Sequence, residues 1–203
     1  MPKITEISIQ NKNKNRCNVF VDGEFFSGVS VETVCKARLK VGLEIDEDSL
    51  KQVLAENERL EALNKATEYI SKTIKTKRQV KDYLLSKGYN EDVVWYCVDK
   101  LKEYNYVNDF EYSKRYIESV SKTQGKKLIE YKLMMKGVRK EEISSAFGEC
   151  DIDLKESAKT VADKYLKNKE ITKENKAKAY RYLIGRGFSY EEANYALSEF
   201  YED

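Results

Sequence analysis

Leu84-Leu-Ser-Lys-Gly88-Tyr89, Leu133-Met-Met-Lys-Gly137-Val138 and Leu183-Ile-Gly-Arg-Gly187-Phe188 are one phrase written three times: leucine, two variable residues, a base, glycine and an apolar residue. The glycines are 49 and then 50 residues apart. Self-similarity at such a period predicts one small helical unit in three copies. A base in the last turn, glycine just past it and an apolar residue next is the pattern of a helix C-cap. Downstream of each glycine, apolar residues recur at fixed offsets. Six residues on are Val94, Ile143 and Ala193; nine on, Cys97, Ala146 and Ala196; ten on, Val98, Phe147 and Leu197. That spacing marks the buried face of a second helix. Upstream, a further helix in each copy is expected to end around Tyr69-Ile70, Tyr116-Ile117 and Tyr165-Leu166. Each repeat therefore reads as helices A, B and C, with the glycine phrase closing B.

The chain before the repeats has a different period. Ile7 and Ile9 alternate with polar neighbours, as do Cys17, Val19 and Val21, and Asp22-Gly23 offers a two-residue hairpin turn before Glu24-Phe25-Phe26. A small antiparallel sheet of two or three strands is expected, then a short helix from Val31 to about Lys40 that closes near Gly42. So few strands are marginal alone, and the sheet should lean on the helices that follow. Asp46 is placed to cap the next helix, with Ile45 and Leu50 as its staple, and apolar periodicity continues through Val53, Leu54, Leu60, Leu63, Ala66 and Ile70. Thr76 with Gln79, and Ser189 with Glu192, have the spacing of capping boxes. The expected division is an N-terminal hairpin plus short helix over 1–45, a connecting helix over 46–61, and repeats over 62–108, 109–150 and 151–203. The fold class is mainly α: three tandem three-helix repeats preceded by a small antiparallel β-hairpin or sheet.

Composition excludes several functions. Of 203 residues, 41% are apolar and 35% charged, with a net charge of +2, which describes a soluble helical chain. The only proline is Pro2. No stretch approaches the roughly 18 apolar residues of a membrane span, and Met-Pro-Lys-Ile-Thr-Glu lacks the apolar run of a signal peptide. Cys17, Cys35, Cys97 and Cys150 are scattered without a Cys-x-x-Cys pair, which suits a reducing cytoplasm. Cys97 is expected to be a small core residue. There is no histidine, so the commonest general base, the usual triads and most zinc sites are missing. Gly23-Glu-Phe-Phe-Ser-Gly28 lacks the Lys-Ser/Thr of a phosphate loop, and no carboxylate pair stands out for acid–base work. No enzyme activity, cofactor or metal is expected. Trp95 and the tyrosines fall mostly on helical patterns and are expected to pack.

The near-neutral total hides alternating blocks. Lys65–Lys87 holds seven bases and two acids, Tyr112–Lys140 nine and two, and Lys155–Gly187 ten and four. Glu44–Glu61 holds seven acids and two bases, and Glu91–Glu111 six and two. Glu91-Asp92, Glu141-Glu142 and Glu191-Glu192 open the C helices, where the macrodipole favours negative charge. The bases break that rule. Lys77-Arg78, Lys126-Lys127 and Lys173 open the B helices, where a cation costs roughly 0.3–1 kcal/mol. A local rule broken at equivalent places points to binding. The candidate contacts are Lys72, Lys75, Lys77, Arg78, Lys114, Arg115, Lys122, Lys126, Lys127, Lys169, Lys173 and Lys176. The loop Lys12-Asn-Lys14-Asn-Arg16 is a weaker candidate. Helix-turn-helix base reading by B and C is disfavoured, because the paired acids opening each C helix would meet the phosphates.

In order and spacing, these phrases resemble the RecX family of recombinase regulatory proteins. The similarity rests on Tyr106-Val-Asn-Asp109-Phe-Glu-Tyr-Ser-Lys-Arg-Tyr116-Ile, Gly125 and Leu133-Met-Met-Lys-Gly137-Val, with Lys77-Arg78 and Leu84-x-x-Lys-Gly88 in the first repeat and Asp22-Gly23-Glu24 in the hairpin. Lys126 follows Gly125 where relatives often carry proline, and Lys132 stands where an acid is common; both add positive charge to the middle repeat. The resemblance implies an elongated, curved array of repeats. It implies a monomer that binds the RecA filament on single-stranded DNA and limits extension, ATP hydrolysis, strand exchange, coprotease activity and hence the SOS response. It carries no catalytic residues. A helical-repeat scaffold with an unrelated protein partner and a non-specific nucleic-acid binder are the alternatives.

Overall fold

The computed structural model describes residues 1–11, 13–198 and 200, apart from the Glu47 side chain. Lys12, the first base of the N-terminal loop, lies outside the described residues, as do residues 199 and 201–203. The chain forms two compact units, Met1–Lys72 with Tyr83–Leu101, and Thr73–Asp82 with Lys102 onward.

The first unit begins with a meander of β1 (Ile4–Ile9), β2 (Arg16–Val21) and β3 (Glu24–Ser30), paired antiparallel in chain order. The expected turn is present: Asp22 and Gly23 both have positive φ, 49° and 85°, the two-residue turn whose twist matches the strands. Ile4, Val19 and Val29 point inward and join Leu39, Ile45 and Leu50 in one buried cluster, while Ile9 at the end of β1 is exposed. Helix α1 (Val31–Lys36) is capped by Ser30 and is shorter than the Val31–Lys40 expected. Arg38 adopts φ 50°, which stops the helix, and Leu39 then donates back to Val34 O and drops into the sheet core. Asp46 Oδ1 accepts from Ser49 N and opens α2 (Glu47–Lys72), an unbroken helix of 26 residues. The connecting segment and the first A helix are thus one rod.

A buried polar network fixes the sheet to α2. Asn57 Oδ1 accepts from Ser30 N at 2.7 Å and from Thr33 Oγ1 at 3.0 Å, and Asn57 Nδ2 donates to Glu61. Arg16 pairs with the same Glu61 and donates to Gly28 O, so its charge serves the fold. Tyr83, in the last turns of α3 (Lys77–Ser86), stacks on Tyr69 of α2 at 4.1 Å. On α4 (Glu91–Glu103), Val93, Val94, Cys97, Val98 and Leu101 are buried. Trp95, expected to pack in the core or at its rim, is half-exposed.

The second unit holds two three-helix sets. These are α5 (Asp109–Val120), α6 (Lys126–Met135) and α7 (Lys140–Glu149), then α8 (Leu154–Leu166), α9 (Lys173–Gly185) and α10 (Tyr190–Ser198). In each set the first and third helices pack together and the middle one leans on both. Ile117, Ile129, Leu133, Val138, Ile143 and Ala146 form one core; Ala158, Ala162, Leu166, Leu183, Phe188 and Leu197 are among those forming the other. The residues at offsets six and nine from each glycine are buried in all three copies. Asn108, Asp153 and Thr172 cap α5, α8 and α9 through their side chains. Both capping boxes form, Thr76 with Gln79 and Ser189 with Glu192.

Candidate functional site

The repeated glycines do two jobs. Gly88, Gly137 and Gly187 have φ of 87°, 85° and 88°, the left-handed C-cap that the sequence predicts. Gly137 and Gly187 also receive the start of another B helix. Thr76 Oγ1 donates to Lys136 O at 2.7 Å, which seats the N-terminus of α3 on the C-terminus of α6. One repeat later glycine replaces threonine, and the backbone takes over: Gly125 N donates to Arg186 O at 2.9 Å and Lys127 N to Gly187 O at 3.1 Å. The N-terminus of α6 thus sits on the C-terminus of α9. A Cβ on Gly125 would lie closer than 3.0 Å to the backbone of Gly187 and Phe188. A Cβ on Gly137 would meet the Arg78 side chain, and one on Gly187 would meet Leu128, whereas one on Gly88 would meet nothing.

This joint bears on the bases that open α3 and α6. Their helix N-termini face the carbonyl end of a neighbouring helix, so the two partial dipole charges oppose each other and the expected penalty on a nearby cation shrinks. Lys77 has a further structural task. Its backbone N–H donates to Asp109 Oδ1 at 2.8 Å, and its Nζ reaches Glu142 at 3.1 Å and Asp109 at 3.7 Å. Asp109 is 3% exposed; burial pushes its carboxyl up, and the Lys77 N–H and ammonium offset this only in part. Burial also acts on Glu142, but hydrogen bonds from Arg139 and Lys77 outweigh it and hold that carboxyl below the usual range.

The other expected contacts divide by environment. Lys114 binds Glu149 at 2.9 Å, which raises its pKa. Lys72, at the end of α2, reaches Glu68, and Arg78 reaches Asp82. Lys126 lies over Phe147 and 3.9 Å from Glu130; Lys127 lies over Tyr190 and Lys169 over Tyr165. Lys176 donates to Phe200 O. Lys122 lines a cavity with Glu118, Asp151, Asp153 and Glu156, which blunts its charge. Lys75 and Arg115 line one cleft with Tyr112, Tyr116 and Lys136. Lys173 is exposed in the first turn of α9.

Tyr116, Lys132, Lys136, Lys164, Tyr165 and Arg186, which line these or neighbouring clefts, were not among the candidate contacts read from sequence. The signal was available, since Lys136 and Arg186 are the bases of the glycine phrase itself. Among the described residues no group of histidine, cysteine or acidic side chains could hold a metal ion, and no helix is long and apolar enough to cross a membrane. Cys97 is fully buried, which pushes its thiol up to about 11.

Known proteins share this arrangement. Residues 2–46 match the regulatory protein RecX N-terminal domain, 62–101 the first RecX three-helix domain and 151–197 the third. The chain is 35% identical over 196 residues to regulatory protein RecX of Clostridium botulinum (strain Eklund 17B / Type B), covering 94% of this chain and 92% of that one. The chain belongs to the RecX family. Regulatory protein RecX of Clostridium beijerinckii is 40% identical over 200 residues, with 94% and 92% covered. A crystal structure of regulatory protein RecX superposes with a TM-score of 0.76 at 22% identity over the whole of both chains, a likeness of fold. RecX from Lactobacillus salivarius superposes with a TM-score of 0.65 at 25% identity, covering 70% of this chain and 96% of that one. The two Clostridium relatives are named regulatory proteins.

Proposed function

We propose that this protein binds the RecA recombinase assembled as a filament on single-stranded DNA and regulates it, chiefly by restraining filament extension, ATP hydrolysis, strand exchange and coprotease activity. It acts in the cytoplasm as a monomer. The observation that carries this is family membership across nearly the whole chain, at 35% identity to a regulatory protein RecX. The geometry supports it. Arg78, Lys126, Lys127 and Lys173 are exposed in the first turns of successive B helices, a serial arrangement that suits a partner with its own repeat. Weak contacts in series gain strength through effective concentration.

The test is RecA-dependent ATP hydrolysis on single-stranded DNA, with and without this protein. Suppression is expected well below one molecule per recombinase subunit, and no suppression at equimolar protein would sink the proposal. Glutamine at Arg78, Lys126, Lys127 and Lys173 should weaken suppression with the helical circular dichroism unchanged. Lys77 is left intact because it neutralises Asp109 and Glu142. If inhibition survives that fourfold change at about physiological salt, the first turns of the B helices are not the contact. A contact made directly to DNA should fall steeply with salt.

A further inference from the structure

Two clefts in the second unit are built from the same positions of successive repeats. One, of about 420 Å³, is lined by Ile74, Arg115, Tyr116 and Lys136, and it shares Tyr116 and Lys136 with an adjoining cleft that Lys132 also lines. The other, of about 380 Å³, is lined by Thr123, Lys164, Tyr165, Tyr182 and Arg186. Adding 49 residues carries Ile74 to Thr123, Arg115 to Lys164 and Tyr116 to Tyr165; adding 50 carries Lys132 to Tyr182 and Lys136 to Arg186. Each cleft therefore joins the linker before one B helix, a basic–tyrosine pair on the next A helix, and the base ahead of the C-cap glycine.

The chemistry is also shared. No carboxylate is found among the described residues lining either of the two equivalent clefts, although Asp82 lines the cleft adjoining the first, and Lys164 also lines the acidic cavity beside Lys122. Tyrosine rings hold the bases in place: Lys136 Nζ lies 5.9 Å over Tyr116, and Arg186 lies 5.0 Å over Tyr182 and donates to its hydroxyl at 2.6 Å. Tyr165 stacks on Tyr182 at 4.6 Å. The Tyr116 phenol is a hydrogen-bond donor at neutral pH, as any tyrosine is, and burial only raises its pKa further. At least two bases beside a phenol donor, one of them held against a tyrosine ring and the others more exposed, suit an anion with several acceptor oxygens. The recurrence suits a chain on which such anions recur.

We propose that each cleft seats one phosphodiester of a single nucleic-acid strand, with Arg115 and Lys136 holding it in one repeat and Lys164 and Arg186 in the next. This rests on the functional proposal above only for the choice of a single strand over a duplex. The sites are distinct from the first-turn bases of the B helices, and they make the repeats successive stations on one strand.

The test omits the recombinase. A fluorescent oligothymidylate of about 20 nucleotides is titrated with the full chain at increasing salt and its anisotropy followed. Each phosphate released should remove about 0.7 from the slope of log affinity against log salt. Arg115→Gln with Lys136→Gln is expected to weaken binding several-fold and lower the slope by that amount. Lys164→Gln with Arg186→Gln should do the same, and the two losses should multiply. A charge-matched control, Lys102→Gln with Lys140→Gln, changes exposed residues outside the clefts and should cost much less. Arg115→Lys with Lys136→Arg keeps the charges and should retain binding, which separates loss of contact from loss of fold. Equal losses in the cleft and control variants overturn the proposal. So does polyglutamate that competes for the clefts while the oligonucleotide does not bind. If oligonucleotide binding depends on the clefts but recombinase ATP hydrolysis is untouched, the clefts stand and the functional proposal falls; the converse result removes the clefts alone.

Discussion

Gly125→Ala isolates the joint between α6 and α9 from every other reason for a glycine. Gly125 has φ of −77°, which alanine adopts without strain. What alanine cannot do is fit, because its Cβ would lie closer than 3.0 Å to the backbone of Gly187 and Phe188. Backbone atoms do not swing aside as a lysine tip would, so the helix ends must separate. Separation weakens two hydrogen bonds, Gly125 N to Arg186 O and Lys127 N to Gly187 O, worth about 0.5–1.5 kcal/mol each. Overpacking adds about 1–3 kcal/mol, and the stiffer unfolded chain returns about 0.4–1. The expected net loss is about 2–4 kcal/mol, read by urea unfolding followed by circular dichroism, together with faster hydrogen exchange at the Lys127 amide. Two controls carry different signs. Gly88→Ala, at φ 87° with open space around it, should lose only the left-handed strain of about 1–2 kcal/mol. Gly148→Ala, inside α7 and also in open space, should gain about 0.5–1 kcal/mol. A Gly125→Ala protein within about 0.5 kcal/mol of the parent, with normal Lys127 exchange, would refute the joint.

Asn57→Ala should leave Ser30 N and Thr33 Oγ1 without their buried acceptor and cost about 1–3 kcal/mol per unsatisfied group, seen as a lower urea midpoint with faster exchange in β3 and α1. Glu142→Gln removes the carboxylate that Lys77 and Arg139 share and should cost about 1–3 kcal/mol at neutral pH. Because the folded-state pKa of Glu142 is depressed, that cost is fully present above the ordinary glutamate range and closes as pH falls through the depressed value. Urea midpoints of variant and parent that stay a constant distance apart from neutral to acid pH would exclude the mechanism.

What could be read along the chain was local. The Asp22-Gly23 turn, the Asp46 cap, both capping boxes and the three C-cap glycines each need residues within five positions of one another, and each formed. The end of α1 was missed because Leu39 is pulled from the helical path by the sheet core, a contact made far from it in sequence. The same limit applied to charge. Lys77 and Arg78 are identical in kind on the page, yet Lys77 finds Asp109 32 positions away and Glu142 65 away, while Arg78 remains exposed. Sequence counts the bases but does not pair them. Gly125 stood in the family pattern without a visible reason, because its reason is the backbone of Gly187 and Phe188.

The joints also divide the binding argument between two sets of bases. Lysines opening a helix looked like a broken rule that only function could justify. With the start of α6 set on the end of α9, and the start of α3 on the end of α6, opposed half-charges of the two helices largely cancel, and Lys126, Lys127 and Lys77 are tolerated on structural grounds. The bases ahead of the glycines present the reverse case. Lys136 and Arg186 close helices, where positive charge is favoured, so neither breaks a rule. Helix capping accounts for a base there, but it does not require a second base and a tyrosine to arrive from the neighbouring A helix. That convergence happens twice at repeat-equivalent positions, and it is the observation on which the proposed strand sites rest, whereas the exposed first-turn bases of the B helices are kept as the proposed contact with the recombinase.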